Sequence, residues 1–304
     1  MLPKTYDIAY TLADRILGKL DTAMSLEILE KVQEKWIRYI PRDKSHYKCI
    51  AGVDSGYNWA ELRGFFIYVI NAGYMDTCSE RDEEIEIDIK TLVSQPHEYL
   101  DLRSIFLELK ILNRTLEKRD ARDTLILVDG SLISKLFAVM RSVNTPREIE
   151  FVRELLEEIN RLLSRDLSNT VFVSKNSGSQ ELVKRVINQS DIPDLYLLEE
   201  FTSGIGFTEP YTTTIRFFDR EININISYVR SDVRGPVIRV EYMNENKSFI
   251  KTFIDSLHEI SVGGYPSILL VIDRSVRVEK EDLEKVLSLL EISRRKPETK
   301  VRIG

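Results

Sequence analysis

Cysteine and histidine are scarce in this chain, two of one and three of the other among 304 residues. Cys49 and Cys78 are too few for a disulfide framework or a four-ligand zinc site, and Cys49, opening an apolar run, reads as a small buried hydrophobe. His46, His97 and His258 are scattered and form no HExxH or HxxxH pair, which excludes zinc-hydrolase chemistry. There is no GxxxxGK[ST] loop, so the chain is not expected to hydrolyse ATP, and no GxSxG elbow for a serine hydrolase. No apolar run approaches the roughly 18–20 residues a membrane span requires. The N-terminal segment carries Asp7 and Asp14 without a long apolar core, so neither signal peptide nor anchor is expected. The expectation is a cytoplasmic protein with no membrane partner. Only four glutamines beside many Ile, Glu, Lys and Arg lean toward a thermophile. A basic excess is missing too: 43 Lys+Arg against 49 Asp+Glu leave a net charge of −6. That excludes a generic DNA coat, which must neutralise phosphates, but not a local basic channel.

What is present is a globular composition, 43% hydrophobic and 30% charged. Residues 5–39 read as helix, with Leu12, Ile16, Leu20, Leu26, Leu29, Val32 and Trp36 near helical spacing. Short apolar strands follow at 49–53 and 64–72, and 84–89 alternate acid and isoleucine as a half-buried third strand. A helix at 97–118 carries the stripe Leu102, Ile105, Leu109, Leu112 and Leu116. The run 125–128 is a buried strand, followed by two helical stretches, the second at about 146–165. Strands are expected at 171–173, 195–201, 211–218, 223–229, 236–243 and 267–272, and helices at 178–188, 248–260 and 279–292. The order predicts an α/β fold with a mixed central sheet flanked by helices, its first three strands an antiparallel meander. With no separating linker, residues 46–304 are read as one domain and 1–45 as a helical N-terminal extension.

The carboxylates fall at telling places. Asp54 ends the first strand, Glu108 lies inside the helix after the third, Asp129 ends the buried strand beyond it, and Asp273 ends the last strand. Functional groups in α/β sheets gather beyond strand ends, and parallel pairing of strands one and four would set Asp54 beside Asp129. Acids so close repel one another unless a hard, oxygen-preferring cation such as Mn²⁺ or Mg²⁺ lies between them. Such a centre hydrolyses phosphodiesters. Singly, each acid has a plainer reading: Asp-Gly-Ser can be a helix N-cap, and Asp273 beside Arg274 a salt-bridged turn. Their joint order is the ribonuclease H-like nuclease arrangement.

At these residues, from about residue 48 to the end, the chain resembles the NurA nucleases. The blocks are Ala51-Gly52-Val53-Asp54-Ser55-Gly56, Leu127-Val128-Asp129-Gly130-Ser131-Leu132, Val173-Ser174-Lys175, Leu197-Leu198-Glu199-Glu200-Phe201 and Gly264-Tyr265-Pro266. The resemblance implies a ribonuclease H-like core and a Mn²⁺- or Mg²⁺-dependent deoxyribonuclease, a 5′–3′ exonuclease and single-strand endonuclease. It further implies DNA-end resection and break repair as a homodimer docked on a HerA-type hexameric ATPase. Carried over, Asp54 and Asp129 are metal ligands, Glu108 a third acid and Tyr265 an active-site residue. Glu98 and Glu117 share the helix of Glu108 and compete for its role.

Two departures stand out. Asp273 occupies the place where the family usually has histidine, which keeps a metal ligand but forgoes a proton-transfer role. Asp-Ser-Gly also replaces the more usual Asp-Gly-Ser of the first motif. They keep open a catalytically weak or inactive subunit that docks on HerA; a separate alternative is an enzyme of this fold acting on RNA or hybrids. Lys175, Arg274 and Arg277 are candidate DNA contacts, while Arg294-Arg295-Lys296 reads as a solvated helix end. Phe65, Phe66, Tyr68 and Tyr74 could stack on bases, but strand alternation makes most of them core.

Overall fold

A computed structural model describes residues 26–42, 46–62, 64–91, 96–118, 123–143, 149–187, 192–258, 260–291 and 302–303, with Thr5, Ile8, Thr11 and Leu12 besides. Most of the predicted N-terminal helix before residue 26, and the Arg294-Arg295-Lys296 run, lie outside them.

The centre is the meander β2 (Cys49–Leu62), β3 (Phe65–Asp76) and β4 (Arg81–Thr91). Helix α2 (Pro96–Lys118) then crosses over to β5 (Thr124–Asp129), which pairs in parallel with β2, and β6 (Thr170–Ser174) pairs in parallel with β5. The resulting order β4-β3-β2-β5-β6 is compatible with a ribonuclease H-like sheet. Beyond β6 the sheet continues antiparallel through β10 (Ile238–Tyr242) and β9 (Arg220–Arg230). β7 (Gly206–Thr208) and β8 (Tyr211–Phe217) share the far edge of β9, and β1 (Trp36–Arg38) closes the order on β7.

Strand periodicity divides the core. Ile126 and Val128 face the layer of α2, α3 (Leu132–Val143) and α4 (Ile149–Leu162), whereas Leu125 and Leu127 face α7 (Phe249–His258) and α8 (Ser267–Val276). By the same period Asp129 belongs to the α8 face, as does Asp54, which follows Ile50 by four residues.

Several expectations are corrected. Trp36–Arg38 is a strand rather than the end of a helix; the helix preceding it, α1, covers Leu26–Glu34. Residues 195–201 form α6 (Asp194–Phe201): Pro193 opens it, and the buried Asp194 carboxylate accepts the Leu182 and Val183 amides at 3.0 and 2.9 Å. Those amides belong to α5 (Glu181–Ile187), so one side chain ties two helices together. Residues 267–272 likewise belong to helix α8, not to a strand. Its buried positions Ile268, Leu269, Ile272 and Val276 keep helical spacing, while Val271 is exposed. The helix lies flat on the meander because Gly73 has no side chain; a Cβ there would meet Ile272 Cδ1 and Val276 Cγ1 at 2.9 Å.

The alternation of β4 holds, and it is the acids rather than the isoleucines that face inward. Glu84 and Glu86 turn toward α2, where Lys110 and Arg114 each approach Glu84 to 2.6 Å and Arg103 pairs with Glu86. Ile85, Ile87 and Ile89 are exposed instead. Cys49 is not merely a buried hydrophobe. It is bonded to Cys78 in the β3–β4 turn, with Cα atoms 5.6 Å apart. Phe66, Tyr68 and Tyr74 are core residues, and only Phe65 of the four candidate stacking aromatics is exposed. Helix α9 (Lys280–Leu289) follows α8, placing Leu283 and Leu287 over Ile67 and Val69.

Candidate active site

The β2–β5 register aligns Val53 with Val128, so Asp54 and Asp129 occupy the next positions of adjacent parallel strands. Asp54 does not end its strand, because β2 runs on to Leu62; the opening lies where β5 stops at Asp129. Glu108 reaches this opening from α2 and is buried, whereas Glu98 is exposed and Glu117 pairs with Arg165. The Ser55 hydroxyl donates to Glu108 Oε2 at 3.1 Å and accepts from the Ser104 hydroxyl at 2.8 Å. The unusual serine of the first motif thus joins β2 to the helical acid.

The three carboxylates act on one another. Burial, then the charges of Glu108 and Asp129, push Asp54 up to about 7, although the Ser55 amide and Lys135 oppose the shift. Burial also raises Glu108, against the pull of Lys135. Lys135 on α3 escaped the sequence reading. Its Nζ lies 2.9 Å from Glu108 Oε1 and donates to the Asp129 carbonyl at 3.0 Å. The available signal was its position four residues after Ser131, in the first turn of the helix that leaves the active edge.

On the α8 face, Lys175 Nζ stands 3.5 Å from Asp129 Oδ2 and 4.3 Å from the centre of the Tyr265 ring. The Tyr265 hydroxyl donates to Asp129 Oδ1 at 3.3 Å from β12 (Tyr265–Pro266), which pairs with β11 (Ser261–Val262) just before α8. Burial and Asp129, then Asp54 and Asp273, hold this phenol protonated well above its ordinary range. The structure therefore gathers Asp54, Glu108, Asp129, Lys175 and Tyr265. Asp273 is near enough to influence Tyr265 but binds Arg277 at 2.6 Å, and Arg274 is exposed on the same helix.

Among the described residues, no three carboxylates, histidines or cysteines are already drawn together around a common ion position. Lys135 and Lys175 hold Glu108 and Asp129 instead. The donor set nevertheless fits a hard divalent cation: it consists of carboxylate oxygens, and the strain on Asp54 is of the kind a cation relieves.

The NurA domain model matches residues 48–278, a span that contains every one of these side chains. The chain belongs to the NurA family. It is 26% identical, over 97% of both chains, to the DNA double-strand break repair nuclease NurA of Sulfolobus acidocaldarius. The NurA of the same description from Saccharolobus solfataricus is 26% identical over 87% of each. Among solved structures, the NurA nuclease from Sulfolobus solfataricus superposes with a TM-score of 0.76 at 25% identity, covering 96% of this chain and 97% of that one. A NurA bound to dAMP and manganese has a TM-score of 0.69 at 14% identity, over 95% and 97% of the two chains, and shares the fold.

Proposed function

We propose that this NurA-family protein is a metal-dependent deoxyribonuclease of DNA double-strand break repair, acting in the cytoplasm on DNA ends. The observation that carries the reading is the neighbouring placement of Asp54, Glu108 and Asp129, with Asp54 pushed up to about 7 by burial and by the charges of the other two. The names of the full-length relatives support the repair role. The manganese and dAMP of the distant NurA structure support the cofactor and substrate class.

Asp54 and Asp129 would hold Mn²⁺ or Mg²⁺, with Asp273 a further oxygen ligand. A cation bound there supplies Lewis acidity toward the phosphodiester and lowers the pKa of an attacking water. Glu108 is paired with Lys135 and oriented by Ser55. Lys175 offers an ammonium to the phosphate, and the protonated Tyr265 hydroxyl can donate to a phosphoryl oxygen. Arg274 and Arg277 flank the DNA path from α8.

The finer assignment is a 5′–3′ exonuclease and single-strand endonuclease, residues 46–304 forming the nuclease domain and 1–45 an extension. A HerA-type hexameric ATPase would move DNA into it, since the chain has no phosphate-binding ATPase loop of its own. The exposed isoleucines of β4 support self-association into a homodimer. The pairing of Asp273 with Arg277, where histidine is usual, favours a second reading, a weakly active or inactive subunit that docks on the ATPase.

One assay separates the readings. Linear DNA, RNA and hybrid duplexes are offered with Mn²⁺, Mg²⁺ or EDTA, with and without the ATPase. Metal-dependent DNA cleavage abolished in Asp54→Ala and Asp129→Ala, with folding intact, is expected. Undiminished cleavage in both variants would overturn the site assignment. Binding to the ATPase without cleavage under any metal would select the docking subunit.

A further inference from the structure

A cavity of about 440 Å³ opens beside the acids, on the side away from β2. Ser131, Ser134, Ser174, Ser177, Lys184 and Arg239 line it. Ser131 follows Asp129 by two residues, at most about 7 Å along the backbone. Ser174 immediately precedes Lys175, whose ammonium faces Asp129. Strand alternation turns Ser174 and Arg239 to the α2 face, so the cavity adjoins the ends of β5 and β6 from the face opposite Asp129 and Lys175.

Its floor has an unusual charge. Arg239 on β10, opposite Ser174 in the antiparallel register, is only 5% exposed. Its Nη1 lies 2.9 Å from Glu241 Oε1, while its Nε has no hydrogen-bond partner. Glu241 is otherwise engaged, accepting the Ser131 hydroxyl at 2.6 Å and the Ile133 amide at 3.0 Å. A guanidinium carries five donors, and the single contact with Glu241 leaves others of them at the cavity floor. Lys184 adds a second cation at the rim and Glu181 a single carboxylate. Hydroxyls, one lysine and one buried arginine are the donors proteins turn to DNA phosphate and sugar, and they carry no base code.

Resting on the nuclease reading above, we propose that this cavity is a backbone subsite of the DNA strand. It receives a phosphate and deoxyribose of the strand where that strand passes the ends of β5 and β6 on its way to the acids. Its contribution is to hold the strand in register while the acids act, independently of base sequence.

The test uses the full chain and a 3′-labelled single-stranded oligonucleotide, read by fluorescence anisotropy in EDTA so that nothing is cleaved. Lys184→Ala combined with Ser177→Ala should weaken binding about tenfold. Loss of one phosphate contact should also lower the slope of log affinity against log salt by about 0.7. Arg239→Lys keeps a charge for Glu241 but loses the fork, and should weaken binding similarly while melting cooperatively. Oligo-dT and oligo-dA should be affected alike, and the Mn²⁺-induced rise in melting temperature should be unchanged. Wild-type affinity and salt slope in the Lys184/Ser177 variant would overturn the proposal, whatever the fate of Arg239→Lys. A wild-type protein with no metal-dependent cleavage would instead overturn the nuclease reading, and the binding result would still decide the subsite.

Discussion

Lys135 Nζ stands 2.9 Å from the buried Glu108 carboxylate and donates to the Asp129 carbonyl at 3.0 Å, so one ammonium ties a helical acid to the end of a strand. It neutralises a carboxylate that burial alone would drive toward protonation. Lys135→Met leaves that carboxylate without its partner and should destabilise the metal-free protein by about 3–5 kcal/mol, as for other broken buried pairs. Melting in EDTA and in Mn²⁺ checks this: the variant should regain more stability from the metal than the wild type does.

Asp54 gives the metal-free protein a definite pH dependence. Its folded value of about 7 lies above the unfolded value of about 3.9, so the folded state binds the proton more tightly. This contribution to stability is complete below about pH 4 and disappears as the pH rises through 7. Melting temperature in EDTA should therefore fall between pH 5 and 8, and Asp54→Asn should flatten that part of the curve. Calorimetric titration should find Mn²⁺ affinity rising toward pH 7, with a proton released on binding.

Gly56 lets α8 approach β2. A Cβ at that position would lie 2.9 Å from the backbone oxygen of Val276, which no side-chain rotation can relieve. Gly56→Ala should cost about 1–3 kcal/mol by overpacking and reduce cleavage by shifting α8, and with it Tyr265, away from Asp129. Denaturant unfolding and a nuclease assay on the same preparation check both effects.

The Cys49–Cys78 bond joins the start of β2 to the β3–β4 turn across 29 residues. Closing a loop of that length stabilises by about 3–4 kcal/mol in the chain-entropy account. Reduction, or Cys78→Ser, should lower the melting temperature with no change in the spectroscopic signature of the sheet.

The isoleucine row on β4 should govern self-association. Ile87→Glu removes an exposed apolar side chain from the edge strand without touching the Glu84 and Glu86 pairs beneath it. Sedimentation velocity should find this variant shifted toward monomer at an unchanged melting temperature.

Much of the frame was legible because strand patterns and an apolar crossover helix leave few topologies. The parallel pairing of β2 with β5, and with it the meeting of Asp54 and Asp129, follows from that order. Other features had no local signature. The run Ile268–Ile272 is apolar throughout, so its period cannot separate strand from helix, and only contact with Gly73 decides it. In β4, alternation fixed the period but not which side faces the helices; the basic residues of α2, far along the chain, claimed the acids. Lys135 resembles any helix-surface lysine until Glu108 is placed beside it. The disulfide depends on the β2–β3 register, which aligns Ala51 with Asp76 and so brings Cys78 back to Cys49.

The position of Tyr265 has a bearing on synthesis. The acids belong to the first half of the chain, while the hydroxyl that donates to Asp129, and the helix that rests on Gly73, come near its end. A ribosome that has released β2 through β6 has made every one of Asp54, Glu108 and Asp129, yet nothing covers them on the α8 face. A product of premature termination between residues 129 and 265 carries the carboxylates without the phenol. Completion of the centre is thus tied to completion of translation, and a truncated chain is an unfinished enzyme rather than a smaller one.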